Sequence, residues 1–212
     1  MKIKKNQISK SQFITINGLF LAVILLFVVF PLQIGLVSLA VLPVLVVIIA
    51  AETVGIKSAI ITGGMFGLLS FIGSMIKPTL LSQAFYNPLI SVAPRLLIGV
   101  VTFLIVEALK KHFPRMNKLI TYGIGAGIGV VTNTSLVLGM ILVFHYGTEF
   151  ALGAESVLIG WEWMTTILIA NFVVEFVFCV LIAPPIVIAL EHAIFRKGND
   201  HIKTDTDTDT EL

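Results

Sequence analysis

Apolar residues run in stretches long enough to cross a bilayer, and polar positions gather in the intervals between them. Crossing about 30 Å of hydrocarbon takes roughly 20 residues of α-helix. Runs of that order occupy 13–31, 34–51, 55–75, 89–109, 118–145 and 161–192, and they predict six transmembrane helices. The second run is the shortest, is bounded by Pro31 and Glu52 and contains Pro43, so a kink or break is expected there. The last carries Pro184-Pro185, which should bend it or turn its tail into an interfacial helix. The first follows Lys2, Lys4, Lys5 and Lys10 in the manner of a secretory signal. Its apolar part is too long for that, and no small-x-small cleavage site follows Pro31-Leu32-Gln33, so it reads as an uncleaved helix.

Composition strengthens this picture. Of 212 residues, 57% are hydrophobic and 12% charged, and the mean hydropathy is +1.03. Soluble domains carry about 25% charged residues. The net charge of +2 says little, but its distribution sets an orientation through the positive-inside rule. With the N-terminus inside, every Lys and Arg falls on the inner side except Lys77, in an outer loop, and Arg95, in the membrane. The expected architecture is an all-α membrane protein, a six-transmembrane-helix bundle with both termini cytoplasmic. One transmembrane domain covers 1–198, and the low-complexity acidic stretch 199–212 is expected to be a disordered tail.

The inner loops are short and basic, whereas Met75–Ser91 and Tyr146–Trp163 are long and rich in polar and ring residues. Long loops on one side of a bundle are where a lid over a site is built. Tyr86, Trp161 and Trp163 fit such a lid, and they fit equally an aromatic belt at the outer interface.

Within the spans, Arg95 stands out, because an arginine in the hydrocarbon costs about 2.5–3.5 kcal/mol on insertion scales and needs a partner or a ligand. Helix five opens with Gly123, Gly125, Gly127 and Gly129, a packing pattern, then runs Thr132-Asn133-Thr134-Ser135. Thr and Ser can bond back to their own helix, but Asn133 cannot satisfy both ends of its amide that way. Asn171 and Glu175, four residues apart, share a face that should point into the bundle. Glu175 either carries a proton or pairs with Arg95. At about 1.5 Å per residue, Arg95 lies roughly 8–10 Å below the outer start of helix four, Asn171 roughly 14 Å below Trp161, and Asn133 roughly 18 Å below the outer end of helix five. These three are placed to line one cavity open to the outside; the alternative is a hydrogen-bond network that only holds the bundle together. Gly18 and Ala22 form a small-xxx-small pair near the cytoplasmic end of helix one.

The stretches Asn87-Pro88-Leu89-Ile90-Ser91-Val92-Ala93-Pro94-Arg95 and Val131-Thr132-Asn133-Thr134-Ser135-Leu136-Val137-Leu138-Gly139 are similar to the Asn-Pro…Pro-Arg and Thr-Asn-Thr…Leu-Gly segments of pantothenate-type S-components. The chain as a whole resembles a substrate-binding S-component of an energy-coupling factor (ECF) vitamin transporter. The resemblance implies a high-affinity vitamin-binding subunit in the bacterial cytoplasmic membrane, with a loop-capped outward pocket. It implies docking through helix one onto a transmembrane coupling subunit driven by two cytoplasmic ATPases, followed by toppling in the membrane to release substrate. The family's docking pair is Ala-xxx-Ala, and here it falls on Gly18 and Ala22. For pantothenate, Arg95 would hold the carboxylate through a two-pronged bond. Asn133 and Asn171 would take the hydroxyls and the amide, and Tyr86, Asn87, Trp161 and Trp163 would close over them.

The alternatives are an S-component for another B vitamin or precursor, or a stand-alone secondary transporter. A flat heterocycle would want more stacking surface than the pocket offers, and no internal repeat of the secondary-transporter kind is visible. The sequence shows no nucleotide-binding loop or zinc motif, and no cofactor or metal is expected. The lone Cys179, among Phe176, Val177, Phe178 and Val180, reads as a small apolar side chain. None of His112, His145, His192 and His201 is spaced for catalysis with Glu, Ser or Cys, so an enzyme is not expected.

Overall fold

The computed structural model describes residues 8–30, 33–34, 37–38, 41–76, 81–152, 155–167 and 171–208. Lys2, Lys4, Lys5 and Lys77, used above to orient the chain, lie outside them. The helices are α1 (Lys10–Val29), α2 (Val41–Thr53), α3 (Ile56–Ile76), α4 (Pro88–His112), α5 (Lys118–His145), α6 (Trp161–Ile167) and α7 (Val173–Thr208). A 3-10 turn covers Leu81–Tyr86. Two small antiparallel hairpins join β1 (Gln33–Ile34) to β2 (Val37–Ser38) and β3 (Glu149–Leu152) to β4 (Glu155–Leu158).

Among the described residues, five helices are long and apolar enough to cross a membrane: α1, α3, α4, α5 and the Val173–Ile194 part of α7. Their starts are written in capping chemistry. Ser9 and Gln12 form a reciprocal capping box on α1, and Asn117 accepts from the Leu119 N–H at the head of α5.

The second apolar run departs from expectation. The helix covers Val41–Thr53, and the β1–β2 hairpin precedes it. Pro43 makes neither kink nor break, because it sits in the first turn, where its missing N–H would have had no helical acceptor. Every residue of α2 except Leu42 is buried, as expected of a helix apolar all round. It packs against α1, α3, α4, α5 and α7 and forms the axis of the bundle.

The sixth run also differs. It is carried by α6 and α7, the latter preceded by a π-helical turn at Asn171 and Phe172. Pro184 and Pro185 lie inside α7 without ending it. Beyond Ile194, α7 extends to Thr208, into the acidic segment expected to be a disordered tail.

Glycine sets the helix spacing. On α3, a Cβ at Gly67 would lie 2.7 Å from Val92 Cα, and on α4 one at Gly99 would lie 2.9 Å from Ala59 Cβ. The Ser91 hydroxyl donates to the Gly67 carbonyl at 3.1 Å across the same contact. The glycines of α5 divide into two pairs on two faces. Gly125 and Gly129 meet Glu52, Ile48, Val106 and Thr102 of α2 and α4, while Gly123 and Gly127 meet Phe176, Val180 and Pro184 of α7. At the basic-loop end, Tyr122 donates to Glu191, and the Lys118 ammonium lies 3.0 Å from the other Glu191 oxygen. These bonds tie α5 to α7.

Replacing Gly67 with leucine should destabilise the bundle by about 1–3 kcal/mol through overpacking. Gly139→Ala, where a Cβ would meet nothing within 4 Å, should be neutral. Thermal unfolding of the two variants in detergent would show the difference.

Candidate ligand-binding site

The site begins with two prolines. Asn87 accepts from the Leu89 N–H as the N-cap of α4, and Pro88 takes the first helical position. Pro94 then stands inside α4, where it has no N–H to give to the carbonyl of Ile90 four residues back. A freed carbonyl in a lipid-embedded helix needs another donor. The next residue supplies it: Arg95 Nη1 donates to the Ile90 oxygen at 3.0 Å. Proline and arginine act as one unit, the first releasing the acceptor that fixes the second.

The guanidinium is held on its faces by rings. Its central carbon lies 4.6 Å from the Phe85 centroid and 5.5 Å from that of Phe66, contacts worth about 0.5–2 kcal/mol each. Arg95 is 7% exposed, and its Nε has no hydrogen-bond partner. Lys118–Glu191 is the one ion pair closer than 4 Å among the described residues. The expected alternative of a direct Arg95–Glu175 pair is therefore not what the structure contains.

Asn133 and Asn171 also carry unpartnered polar atoms. Asn133 is 9% exposed with an unbonded Oδ1, and the buried Oδ1 of Asn171 is likewise unbonded. Asn133 stands one turn from Gly129, which faces Thr102 and Ile48, so its face of α5 is turned to α4. Asn171 lies four residues before Glu175, in the π-helical turn that precedes α7. A buried amide oxygen without a donor costs about 1–3 kcal/mol. Thr102, below them, also has an unbonded hydroxyl. Thr132, by contrast, donates back to Ile128 at 2.8 Å.

A second apolar cluster caps this end. Ala84, Ile90, Ile141, Phe150 and Ile159 form its centre, with Phe85, Val157 and Trp163 packed around them. Gln83 Nε2 donates to the Ala151 carbonyl at 2.8 Å, joining the 3-10 turn to the β3–β4 hairpin. The other expected lid residues divide. Trp163 is packed into the cap, Trp161 is 62% exposed and Tyr86 43% exposed. Asn87 is engaged in capping α4.

Sequence reasoning missed Phe66, Phe85, Thr102 and His145. The His145 ring stands edge-on to Phe150 at 5.1 Å with its Nε2 buried and unbonded. Position beside Tyr86 was the one available signal for Phe85; the others depend on contacts between distant segments. Among the described residues, no group of three or more His, Cys, Asp or Glu is arranged to hold a metal.

The bundle thus holds a buried, partly unbonded cation beneath an apolar cap. Residues 12–187 match the family described as ECF transporter, substrate-specific component. The chain belongs to that family. It is a multi-pass cell-membrane protein and the substrate-binding subunit of an ECF importer, which works with a transmembrane coupling subunit and ATPases; it is not an enzyme. No curated protein matches it by sequence.

Asn87→Ala should cost about 1 kcal/mol of stability through the lost cap, while Asn87→Asp keeps it. Melting temperatures measured without ligand separate this role from ligand contact.

Proposed function

We propose that the ligand is pantothenate and that Arg95 holds its carboxylate. The observation that carries this reading is the divided state of the guanidinium. Nη1 is fixed on the Ile90 carbonyl, while Nε, buried, has no partner. A carboxylate taken side-on satisfies Nε and the adjacent nitrogen together, which is the two-pronged geometry that favours arginine over lysine. Asn133 and Asn171 take the hydroxyls and the amide of the ligand. Trp163 and Tyr86 belong to the cover above it, with Trp161 at its rim and Asn87 setting the start of α4.

In this reading the chain crosses the membrane six times, α2 with its preceding hairpin making the second crossing, and both termini are cytoplasmic. Residues 1–198 form the transmembrane domain, and the acidic 199–212 tail takes no part in binding. The β3–β4 hairpin and the 3-10 turn then face outward, and the Lys110–Lys118 region faces the cytoplasm. Docking to the coupling subunit, which two ATPases drive, uses Gly18 and Ala22. Both are exposed, and a Cβ at Gly18 would meet nothing within 4 Å, which leaves a shallow place for a partner helix.

Arg95→Ala should weaken pantothenate binding about 100-fold or more, since losing one partner of a buried charge pair costs about 2–5 kcal/mol. Arg95→Lys should recover only part of it. Calorimetry on the purified protein decides: unchanged affinity in Arg95→Ala would refute the assignment, and tight binding of a different B vitamin would redirect the choice of ligand. Gly18→Leu should leave that affinity intact and prevent co-purification with the coupling subunit; unaltered assembly would remove α1 from the interface.

A further inference from the structure

α3 and α4 meet main chain to main chain at the residue that carries the cation. A Cβ on Gly63 of α3 would run into the Arg95 carbonyl oxygen, and it would stand 3.1 Å from the carbonyl carbon and 3.3 Å from Leu96 Cα. All of these are main-chain atoms, which cannot swing aside as the tip of a side chain can. The adjacent Gly64 shows the contrast. A Cβ there would meet Leu96 Cδ2 at 3.4 Å, an ordinary apolar contact. Three residues on from Gly63, on the same face of α3, the Phe66 ring lies 5.5 Å from the guanidinium carbon. One face of α3 thus carries both ends of Arg95, with its main chain against Gly63 and its charged head beside Phe66.

This support falls where α4 can least hold itself. Pro94 has no N–H to give to the Ile90 carbonyl, so the ladder of α4 is interrupted immediately before Arg95. The place of the Arg95 main chain then depends on what α4 lies against, and there it lies against Gly63. The Ser91 hydroxyl, one turn before Arg95, donates to the Gly67 carbonyl at 3.1 Å, one turn on from Gly63, and limits sliding between the two helices. At the other end of the side chain, Nη1 is held by Ile90 while Nε is left without a partner. A guanidinium that takes a carboxylate through two parallel bonds has to be placed to within about 0.5 Å.

We propose that Gly63 is a positioning residue for the ligand. Its missing side chain sets where the Arg95 main chain stands, and through it where the free Nε meets a carboxylate. This deepens the reading of Arg95 as the carboxylate partner and rests on it. What Gly63 governs is accordingly the preference for a charged ligand over a neutral one of the same shape.

The test compares pantothenate with pantothenol, in which a hydroxymethyl group replaces the carboxylate, by displacement calorimetry on the purified protein. Gly63→Ala should weaken pantothenate about tenfold or more while pantothenol stays within about twofold of the parent, so the preference between them shrinks. Gly64→Ala, with the same gain in helix propensity and no main-chain overlap, should leave both affinities unchanged. In an Arg95→Ala background, Gly63→Ala should cause no further loss of pantothenate, as for two changes acting through one contact. Ser91→Ala removes a single hydrogen bond and keeps the packing, so it serves if Gly63→Ala does not fold. It should weaken pantothenate about threefold and leave pantothenol unaltered. Undiminished pantothenate binding in Gly63→Ala, or in Ser91→Ala where that variant stands alone, would overturn the proposal. Equal loss of both ligands, or losses that add in the double variant, would overturn it too, since general damage to packing has that signature. The two readings fail differently. If Arg95→Ala binds pantothenate as tightly as the parent, the ligand assignment falls and the role of Gly63 with it. A loss in Arg95→Ala beside full retention in Gly63→Ala removes only the role of Gly63.

Discussion

The site is organised by a positive charge kept in a place where water cannot serve it. A guanidinium removed from solvent must have its donors satisfied locally or be compensated electrostatically. Here the protein meets that demand only in part, with one carbonyl at 3.0 Å and two aromatic faces. The carbonyl exists as an acceptor because Pro94 interrupts the ladder of α4. Phe85 is present because the 3-10 turn brings it over α4, and that turn is held by Gln83 on the β3–β4 hairpin. Remove any one of these and the arginine loses its fixed direction. The cap is thus built down onto the cation.

Much of this was visible in the sequence. The apolar runs place α3 and α5 to within a residue and α4 to within three, and capping asparagines mark the starts of α4 and α5. Arg95, Asn133 and Asn171 could be singled out because polar groups are conspicuous in apolar surroundings. The second run misled because hydropathy records affinity for a dry environment and not its source. The interior of a bundle and the lipid around it look alike to that measure, so the short buried α2 with its hairpin reads as an ordinary span. Pro43, expected to kink or break the helix, does neither, because it sits in the first turn, where a missing N–H costs nothing. Asn87, expected at the lid, also caps α4, its side-chain oxygen accepting from the Leu89 N–H. The aromatic hold on Arg95 was illegible, since Phe66, Phe85 and Arg95 come from three separate elements.

α5 shows how one helix serves two neighbours at once. Alternate glycines at 123, 125, 127 and 129 separate into pairs four residues apart, and each pair admits a different partner closely. Towards α2 and α4 the approach encloses Glu52, 4% exposed with neither carboxylate oxygen bonded, and Thr102, fully buried with its hydroxyl unbonded. The interior of the bundle therefore carries polar groups that have no bonding partner. A core of this kind is held together by shape more than by matched polarity.

The least buried of the spanning helices has a distinct mechanical character. α1 commits only Asn17, Phe20 and Ile24 to the interior. Asn17 donates to the Phe13 carbonyl at 2.8 Å and accepts from the Ser58 hydroxyl at 2.6 Å, in the turn that also presents Gly18 outward. A pull on α1 would be delivered through that bond into α3. From α3 it would pass across the tight Gly67–Val92 contact to α4, the helix that carries Arg95. On the roles proposed above for Gly18 and Arg95, the docking point and the ligand contact are then joined through α3 by one continuous run of packed contacts.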